Sequence, residues 1–510
     1  MRVGVYDGHL ETLGGGEQYA LSIALWLLGQ GHEVDILAPA GTSIEACEQR
    51  LRLDLTGAKL ASLAGGFPEC EPEATERSAG YDMFFNATHA SRAPSRCARS
   101  TLIVYFPLPL DELPPLSGDE LEAWTTLARR QRSCLHEAGG LHAPEPAGRW
   151  SDGRASYLVR SRPGMVGTTS VSLRAPWPAS LPRPTATFLV DGQEVAKRRL
   201  SRRRDVRVRV PVDPSPDEKH RLLEICTESF SPAASGDSGD TRQLGALIRA
   251  ISPGDPTVTS DQIEYGCLLH FVDTYEHLVA VSHYASGWAR RLWGTVIRSV
   301  VHPPVTPPPG RCDADRAQSI VVLGRFYGGP TSKKQLELVR AFAMLCDGGL
   351  SGWDLQLLGG VNDEPYVKEI EAAAAGYPVE VVRNASGTLI EERLATARLA
   401  WQATGWGEDP DVHPDRFEHF GIALVEAMGA GAIPVVLETG GPAEIVTPGH
   451  NGFLWSAREG PGPATLSLVG DRSSWPRLSA RASERAEDFS RDEFEAALAR
   501  ELVTGARKPA

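Results

Sequence analysis

The feature that most constrains the fold is a repeated alternation of short apolar runs with segments of helical periodicity. The apolar run 3–7 is followed by the glycines 14–16 and by a helical pattern over 17–28. The same alternation returns after residue 317, with an apolar run at 320–324 and a helical pattern at 333–345. Strands that alternate with helices in this way form parallel sheets covered on both faces. The sequence therefore predicts two doubly wound α/β domains, whose ligands bind at the carboxyl ends of the strands.

A region between the two α/β segments has a different pattern. After a long helix predicted over 119–138, helical periodicity disappears, and from 144 to 256 short alternating runs are separated by turn signals such as Asp191-Gly192. This pattern predicts a β-sandwich-like module inserted into the first domain. Part of it is basic, with Arg198, Arg199, Arg202, Arg203, Arg204, Arg207 and Arg209 in one stretch. A solvated structural appendage, a glycan-binding element and a contact with anionic lipid all stay open for the module.

These patterns divide the chain into five parts. The predicted parts are an N-terminal Rossmann-like domain (1–143, continued at 257–302), the inserted β-rich module (144–256), a proline-rich linker (303–316), a C-terminal Rossmann-like domain (317–480), and C-terminal helices that could pack back on the N-terminal domain (481–510). Two sheets that face each other would place the ligand site in the cleft between them.

Composition excludes several classes of protein. The 510-residue chain has a net charge of −13, which argues against a nucleic-acid partner, and no apolar run reaches the roughly 20 residues of a membrane span. The first apolar run ends at Asp7, so it does not resemble a secretory signal, and the eight cysteines contain no Cys-x-x-Cys. We therefore expect a cytoplasmic protein, for which peripheral contact with the inner face of the membrane stays open. The oligomeric state is not predicted.

The strongest candidate for a functional site is the segment 418–431. Glu418 directly precedes a predicted helix, and Glu426 lies about one turn inside it. Free N–H groups and the helix dipole at such a start favour a phosphate, and Gly421 lets a ligand approach the backbone. Glu426 could then accept hydrogen bonds from a ribose, and Glu418 from the hydroxyls of a bound sugar. An ordinary amphipathic helix with two exposed acids is the alternative.

Two further clusters lie at the predicted ends of strands. Arg325 follows the strand at 320–323, and Lys333 begins the next helix, so the two cations could neutralise a diphosphate and stabilise it as a leaving group. A solvated basic turn is the alternative there. The glycines 14–16 form neither a dinucleotide fingerprint nor a Walker loop, but they would let the backbone approach a charged ligand.

In this order, the motifs resemble the retaining nucleotide-sugar glycosyltransferases of family 4, which have the GT-B fold. The resemblance covers most of both α/β segments and rests on the Glu-x7-Glu pair, the Gly-Arg-Phe and Lys residues, the glycine-rich first loop, and the segments 281–284, 302–305, 440–446 and 449–453. It implies transfer of a hexosyl group from a UDP- or GDP-sugar to a glycan or lipid-linked acceptor, with retention of configuration. It also implies that no metal or other cofactor is needed.

The resemblance also implies roles for individual residues. It assigns catalysis to Glu418, Arg325 and Lys333, with the leaving diphosphate assisting proton removal from the acceptor. It assigns substrate binding to Glu426, Gly15, Gly16, Phe420, Gly421, Ile422, Gln402, Thr404 and Tyr105. The Asp-x-Asp patterns at 409–411 and 313–315 would suggest a metal-dependent transferase of the other fold, and we interpret both as solvated acids.

Two positions depart from the pattern of related sequences. Gln402 occupies a place where a subgroup usually has His, and Tyr105 one where His often precedes an aromatic–Pro pair. Both departures concern the acceptor and turnover more than donor binding, and His89 is a nearby alternative on the acceptor side. A non-catalytic glycan- or nucleotide-sugar-binding protein on a transferase scaffold therefore stays open, as does a nucleotide-sugar epimerase of the same overall fold.

Overall fold

The structure is a computed structural model of the 510-residue chain. It describes residues 1–108, 113–114, 116, 118–132, 135–142, 149–159, 167–213, 220–235, 239–253, 262, 265–266, 268–308 and 316–504. The chain divides into two compact units. One contains Met1–Leu108, Tyr275–Arg290 and Val296–Ala510, and the other contains Pro109–Thr274 and Arg291–Thr295.

The first segment of the chain alternates strands and helices, as the sequence predicts. Its elements are β1 (Arg2–Tyr6), α1 (Gly15–Gly29), β2 (Glu33–Pro39), α2 (Ile44–Leu51), β3 (Lys59–Leu63), α3 (Glu71–Ser78), β4 (Met83–Asn86) and β5 (Ser100–Val104). The strands are short and almost wholly apolar because both faces of the sheet are covered. At the start of helix α1, the carboxylate of Glu17 accepts a hydrogen bond from the backbone N–H of the N-cap residue Gly14 at 2.6 Å.

The second unit is built mainly from antiparallel strands. Its elements are α4 (Gly118–Arg132), β6 (Leu135–Leu141), β7 (Arg149–Val159), β8 (Thr168–Arg174), β9 (Thr185–Val190), β10 (Gln193–Arg199), β11 (Val206–Pro211), β12 (Arg221–Cys226), α5 (Pro232–Ser235), β13 (Leu247–Pro253) and α6 (His270–Asp273). The strand order is β10-β9-β12-β7-β13-β8-β11, and β6 pairs with β7. Tyr157, Phe188 and Ile225 lie in its buried apolar cluster. The specific sandwich architecture stays a prediction.

The helix predicted over 119–138 is wrong in its last part. Helix α4 ends at Arg132, and residues from Leu135 onward form strand β6, which pairs antiparallel with β7. Pairing with β7 overrides the local helical pattern over 135–138. Antiparallel pairing thus begins before residue 144, where the sequence-based division starts the module.

After the second unit the chain returns to the first sheet. Strands β14 (His277–Ala280) and β15 (Ser299–Val300), with helix α7 (His283–Trp293) between them, complete a seven-stranded parallel sheet of order β15-β14-β5-β4-β1-β2-β3. Because β14 pairs directly with β5, the chain leaves and re-enters this sheet on neighbouring strands. The order reverses at β1, so the loop after β1 lies where such sheets bind ligands.

A second parallel sheet follows. Its elements are β16 (Ser319–Leu323), α8 (Gln335–Asp347), β17 (Asp354–Gly359), α9 (Glu364–Ala374), β18 (Val379–Arg383), α10 (Gly387–Thr396), β19 (Leu399–Gln402), α11 (Ile422–Gly429), β20 (Ile433–Leu437), α12 (Pro442–Ile445), β21 (Phe453–Trp455), α13 (Gly462–Gly470), α14 (Trp475–Glu487) and α15 (Arg491–Thr504). The order is β18-β17-β16-β19-β20-β21. Ile320 and Val322 belong to one buried cluster and Val321 to another, so helices cover both faces.

The structure confirms an α/β fold with parallel sheets. In the second sheet the order reverses between β16 and β19, so their carboxyl ends form the crevice expected to bind ligands. The C-terminal helices contact the first segment, because the ring of Phe494 lies 5.2 Å from that of Tyr19 in α1. Of the predicted linker, residues 309–315 lie outside the described part of the chain. Among the described residues, no helix is both long and apolar enough to cross a bilayer.

Candidate active site

A cavity of about 960 Å³ lies at the carboxyl ends of the two parallel sheets, within the first unit. This volume is in the range of small-molecule sites. The predicted site residues that line it are Gly15, Gly16, Tyr105, Arg325, Lys333, Gln402, Thr404, Glu418, Phe420, Gly421 and Ile422. Glu426 does not line it, although its neighbours Ala423 and Ala427 on α11 do. The fold thus brings together residues that are up to about 400 positions apart in the sequence.

An ion pair joins two of the predicted catalytic residues. The Nζ atom of Lys333 donates to Oε2 of Glu418 at 2.5 Å, and the hydroxyl of Thr404 donates to the same oxygen at 3.4 Å. Burial raises the pKa of Glu418, but the Lys333 ammonium outweighs it, so the pKa lies below its usual value. Glu418 is therefore a carboxylate at neutral pH, able to accept further hydrogen bonds from a ligand.

The position of Lys333 depends on a glycine after β16. A Cβ atom at Gly324 would lie 2.6 Å from Cγ of Lys333, so any side chain there would displace the lysine. The neighbouring residue Arg325 is exposed and lines the cavity, and no described residue bonds to its guanidinium. The two cations thus differ: Lys333 is neutralised by Glu418, whereas Arg325 remains available to an anion.

The start of α11 offers a second anion-binding element. Gly421 precedes the eight-residue helix with a left-handed φ of 115°, which favours glycine. Among the described residues, no carbonyl accepts from the N–H groups of Gly421, Ile422 and Ala423. All three residues line the cavity. Unpaired N–H groups and the positive end of the helix dipole favour a phosphate.

The glycine-rich start of α1 meets α11 across the cavity. A Cβ atom at Gly15 would lie 2.6 Å from Cδ1 of Ile422, so only glycine fits this approach. The hydroxyl of Tyr105 donates to the carbonyl oxygen of Gly16 at 2.8 Å. Tyr105, which stands where related sequences often have His, therefore holds the start of α1 with the hydroxyl that we expected to face a substrate.

The side-chain amide of Gln402 ends strand β19 at the cavity wall. Both its Nε2 and Oε1 atoms are buried, and neither has a hydrogen-bond partner among the described residues. Buried amides left unpaired are unfavourable, because folding removes their bonds to water. A ligand with both a donor and an acceptor would satisfy this group.

Histidines in the cavity wall were assigned no role from the sequence, apart from His89 as an alternative. The imidazole of His419 stacks on Phe106, with ring centroids 4.6 Å apart, and lies 6.2 Å from the ring of His89. Its Nε2 atom lies 3.1 Å from the carbonyl oxygen of Asp415, so Nε2 carries the proton. Burial, together with His89, lowers the pKa of His419 to about 4. The sequence could have indicated His419 as a site residue, because it lies inside the Glu-x7-Glu segment.

Glu426 lies on α11 beside an acid from α10. Burial and the nearby carboxylate of Glu391 raise the pKa of Glu426 to about 7. Glu391 in turn pairs with Arg52, which follows α2 in the first parallel-sheet segment. Glu426 is therefore poised to change its charge near neutral pH.

The acids of the Asp-x-Asp pattern at 409–411 are exposed and do not line the cavity. The second such pattern, at 313–315, lies outside the described residues. In the described part of the chain, the side chains of His283, His302 and Glu444 form one group that could hold a metal ion, and none of them lines the cavity.

The sequence around this geometry matches a known family. Residues 316–459 match the model of glycosyl transferases group 1. That segment carries Arg325, Lys333, Glu418 and Glu426. It covers less than half of the chain, and it includes the residues at the carboxyl ends of β16 and β19.

Two curated relatives are mannosyltransferases. The chain is 32% identical over 194 residues to a GDP-Man:Man(3)GlcNAc(2)-PP-Dol alpha-1,2-mannosyltransferase of Xenopus laevis, covering 35% of this chain and 37% of the relative. It is 28% identical over 213 residues to the enzyme of the same name from Dictyostelium discoideum, covering 38% and 40%. The chain thus spans well under half the length of these relatives.

Solved structures share the fold over nearly the whole chain. Anabaena HepE in complex with UDP-glucose superposes with a TM-score of 0.53 at 12% identity, covering 99% of this chain and 100% of that one. A glycosyltransferase from Rickettsia africae gives 0.53 at 10%, covering 99% of each chain. Sucrose-phosphate synthase from Thermosynechococcus elongatus gives 0.52 at 12%, with 99% and 100% covered. The protein thus has the fold of these enzymes, which agrees with the predicted GT-B architecture.

Proposed function

We propose that the protein is a retaining glycosyltransferase of family 4, which moves a hexosyl group from a nucleoside diphosphate sugar to a glycan or lipid-linked acceptor. The observation that carries the proposal is the arrangement of the unpaired Arg325 guanidinium, the free N–H groups at the start of α11, and the Lys333–Glu418 pair around one cavity. Positive and N–H groups suit a diphosphate, and a carboxylate suits sugar hydroxyls.

The proposed reaction is a substitution at the anomeric carbon. The bond from this carbon to the diphosphate oxygen breaks, and the acceptor oxygen bonds to it on the same face. The proton of the acceptor hydroxyl passes to the leaving diphosphate. Arg325 and the N–H groups of α11 stabilise the charge that develops on the diphosphate, while Glu418, held by Lys333 and Thr404, fixes the sugar.

The cations of the chain supply the positive charge in this proposal, so no metal or other cofactor takes part. Arg325 and the start of α11 together provide charge complementarity for a diphosphate. The unpaired amide of Gln402 supplies a donor and an acceptor for sugar or acceptor hydroxyls. Catalysis then rests on positioning and electrostatic stabilisation in the cavity.

The nucleotide stays open between UDP and GDP. The sequence relatives carry GDP-Man in their names, whereas the structural neighbour HepE was solved with UDP-glucose. Since the identity to the former is 32% and to the latter 12%, GDP-mannose is the first donor to test. A lipid-linked glycan is the first acceptor to test for the same reason.

The test measures transfer from labelled GDP- and UDP-sugars to a lipid-linked oligosaccharide, with NMR of the product linkage. Arg325→Ala and Glu418→Gln should strongly reduce transfer, whereas Arg340→Ala, which changes an exposed arginine of α8, should leave it unchanged. Inverted product, or transfer by Arg325→Ala at the normal rate, would refute the proposal. Epimerised donor without transfer would favour the epimerase alternative.

A non-catalytic binding protein is the second candidate. One observation favours it, because the Tyr105 hydroxyl is engaged by the carbonyl of Gly16 and offers no titrating group to an acceptor. Thermal stabilisation by a nucleotide sugar, without transfer or donor hydrolysis, would support this candidate. Slow donor hydrolysis alone would count against it.

A further inference from the structure

Strands β10 and β11 and the loop between them carry a dense positive charge that the proposed reaction does not use. Residues 193–212, here called the arginine edge, contain eight Lys and Arg side chains and two carboxylates, a net charge of +6. The whole chain has a net charge of −13. The arginine edge is therefore a local exception on an acidic protein.

The geometry of the sheet turns these side chains outward. β10 and β11 are the first and last strands in the order of the antiparallel sheet, so each is an edge strand. In β11, Val208 and Val210 are buried, while Arg207 and Arg209 alternate with them and are exposed. In β10, every residue except the partly buried Ala196 is exposed. Charged edge strands also prevent pairing between the sheets of different molecules, and this role is the alternative to binding a ligand.

The two carboxylates of the arginine edge pair with only one of its eight cations, Lys197. Glu194 pairs with Lys197 at 2.9 Å, and Asp205 lies 3.7 Å from Arg174 and 3.6 Å from Arg249, both outside the edge. Within the described residues, no acceptor bonds to five of the guanidinium groups, those of Arg199, Arg203, Arg204, Arg207 and Arg209. These five guanidinium groups therefore leave a concentrated positive charge that ion pairs within the protein do not neutralise.

We propose that the arginine edge binds the surface of an anionic phospholipid bilayer. Strands β10 and β11 contact each other, and each extends over roughly 20 Å. The exposed cations of the two strands and of the loop between them can therefore meet several headgroup phosphates at once. The apolar side chain of Val195, which is 36% exposed, lies among them and suits the boundary between headgroups and acyl chains.

The composition of the edge favours lipid over nucleic acid. Residues 193–212 include no aromatic side chain on which a base could stack, whereas proteins that bind single strands combine a basic groove with such aromatic side chains. The two strands are not neighbours in the sheet order, so they form no two-stranded ribbon that could enter a major groove. Phosphates presented on a planar surface require neither feature.

This inference goes beyond the transfer reaction and does not depend on it. Binding to vesicles is measured without donor or acceptor, so it can fail while glycosyl transfer succeeds, and the reverse. The arginine edge contributes no residue to the cavity lining. Variants of the edge therefore leave the proposed site intact.

The test is co-sedimentation of the full chain with two kinds of vesicle. One kind contains phosphatidylcholine alone, and the other also contains about 30% phosphatidylglycerol, which gives a strongly negative surface. We expect binding only to the anionic vesicles, and its loss on raising the salt from about 0.1 M to about 0.5 M. The variant Arg203→Glu/Arg204→Glu/Arg207→Glu should bind about a hundredfold more weakly.

A matched control keeps the test interpretable. Arg298, Arg340 and Arg458 are exposed arginines outside the edge, and their triple change to Glu alters the net charge equally while retaining binding. Circular dichroism checks that both variants fold. Equal binding to neutral vesicles, no binding to anionic ones, or equal losses in both variants would overturn the proposal. Tighter binding to an RNA oligonucleotide, lost only in the edge variant, would overturn it in favour of nucleic acid.

Discussion

The two parallel sheets contribute different chemistry to the same cavity. Of the groups used in the proposed reaction, the second sheet and its loops supply the charged ones, Arg325, Lys333 and Glu418, whereas the first supplies the Gly15–Gly16 backbone and the ring of Tyr105. The charged residues that the first sheet adds to the lining, Glu17 and Arg50, take no part in that reaction. An ionic donor needs the charged groups of the second sheet, and an uncharged hydroxyl acceptor can be held by the groups of the first sheet. The difference indicates that binding energy and charge stabilisation come mainly from the second sheet, and positioning from the first.

The largest effect should come from removing the unpaired cation. Arg325→Ala should lower kcat by about 10³-fold, because one preorganised donor to a developing charge is worth roughly that much. Steady-state kinetics measure it. Arg325→Lys keeps the charge but loses the fork of the guanidinium, so it should recover part of the rate. A change in KM with unchanged kcat would show that Arg325 only binds the ground state.

The contact between the two sheets' loops should give the next largest effect. Gly15→Ala brings a methyl group to 2.6 Å from Ile422, so the loop must shift, and kcat/KM should fall about 10²-fold. The double variant Gly15→Ala/Ile422→Ala relieves the clash and should recover most of the loss. If the double variant were no better than the single one, the clash would not be the cause.

The raised pKa of Glu426 predicts a dependence of donor affinity on pH. Burial and Glu391 raise this pKa to about 7, so the acid becomes protonated as the pH falls through about 7. If Glu426 accepts hydrogen bonds from the ribose, donor KM should rise about tenfold between roughly pH 8 and pH 6. Glu426→Gln should bind weakly at both pH values and lose the dependence. An unchanged pH profile in Glu426→Gln would remove this residue from donor binding.

The anchoring bond of Tyr105 should have a smaller effect. Tyr105→Phe removes the bond to the Gly16 carbonyl at 2.8 Å and should cost about 1 kcal/mol of unfolding free energy. We expect activity to fall only a few-fold, measured beside chemical denaturation. A loss as large as that of Arg325→Ala would mean that the first sheet takes part in chemistry, and the contrast between the two walls would fail.

Chelation should have the smallest effect. Because the proposed mechanism uses Arg325, Lys333 and helix N–H groups as its positive charges, dialysis against EDTA should leave the transfer rate unchanged. A stimulation by Mg²⁺ or Mn²⁺ of the treated protein would show that a metal shares the work of the second sheet.

The second sheet was more predictable from the sequence than the first. Arg325 directly follows a strand, and Glu418, Gly421 and Ile422 lie at one helix start, so their proximity follows from short-range sequence and the rule on strand ends. The bond from Tyr105 to Gly16 and the stacking of His419 on Phe106 join distant segments, and no local pattern specifies them. The same reason explains the missed strand β6, whose partner is β7. The position of Glu426 outside the cavity lining also depends on packing, namely on α10 beside α11.

The contact of Gly15 with Ile422, together with the pair of Arg52 and Glu391, joins the two parallel-sheet halves at two places beside the cavity. We expect both contacts to open and close as a nucleotide sugar enters and as the nucleotide leaves. Turnover is then expected to be gated by this separation, so that viscosity should slow product release even in a protein whose chemical step is fast.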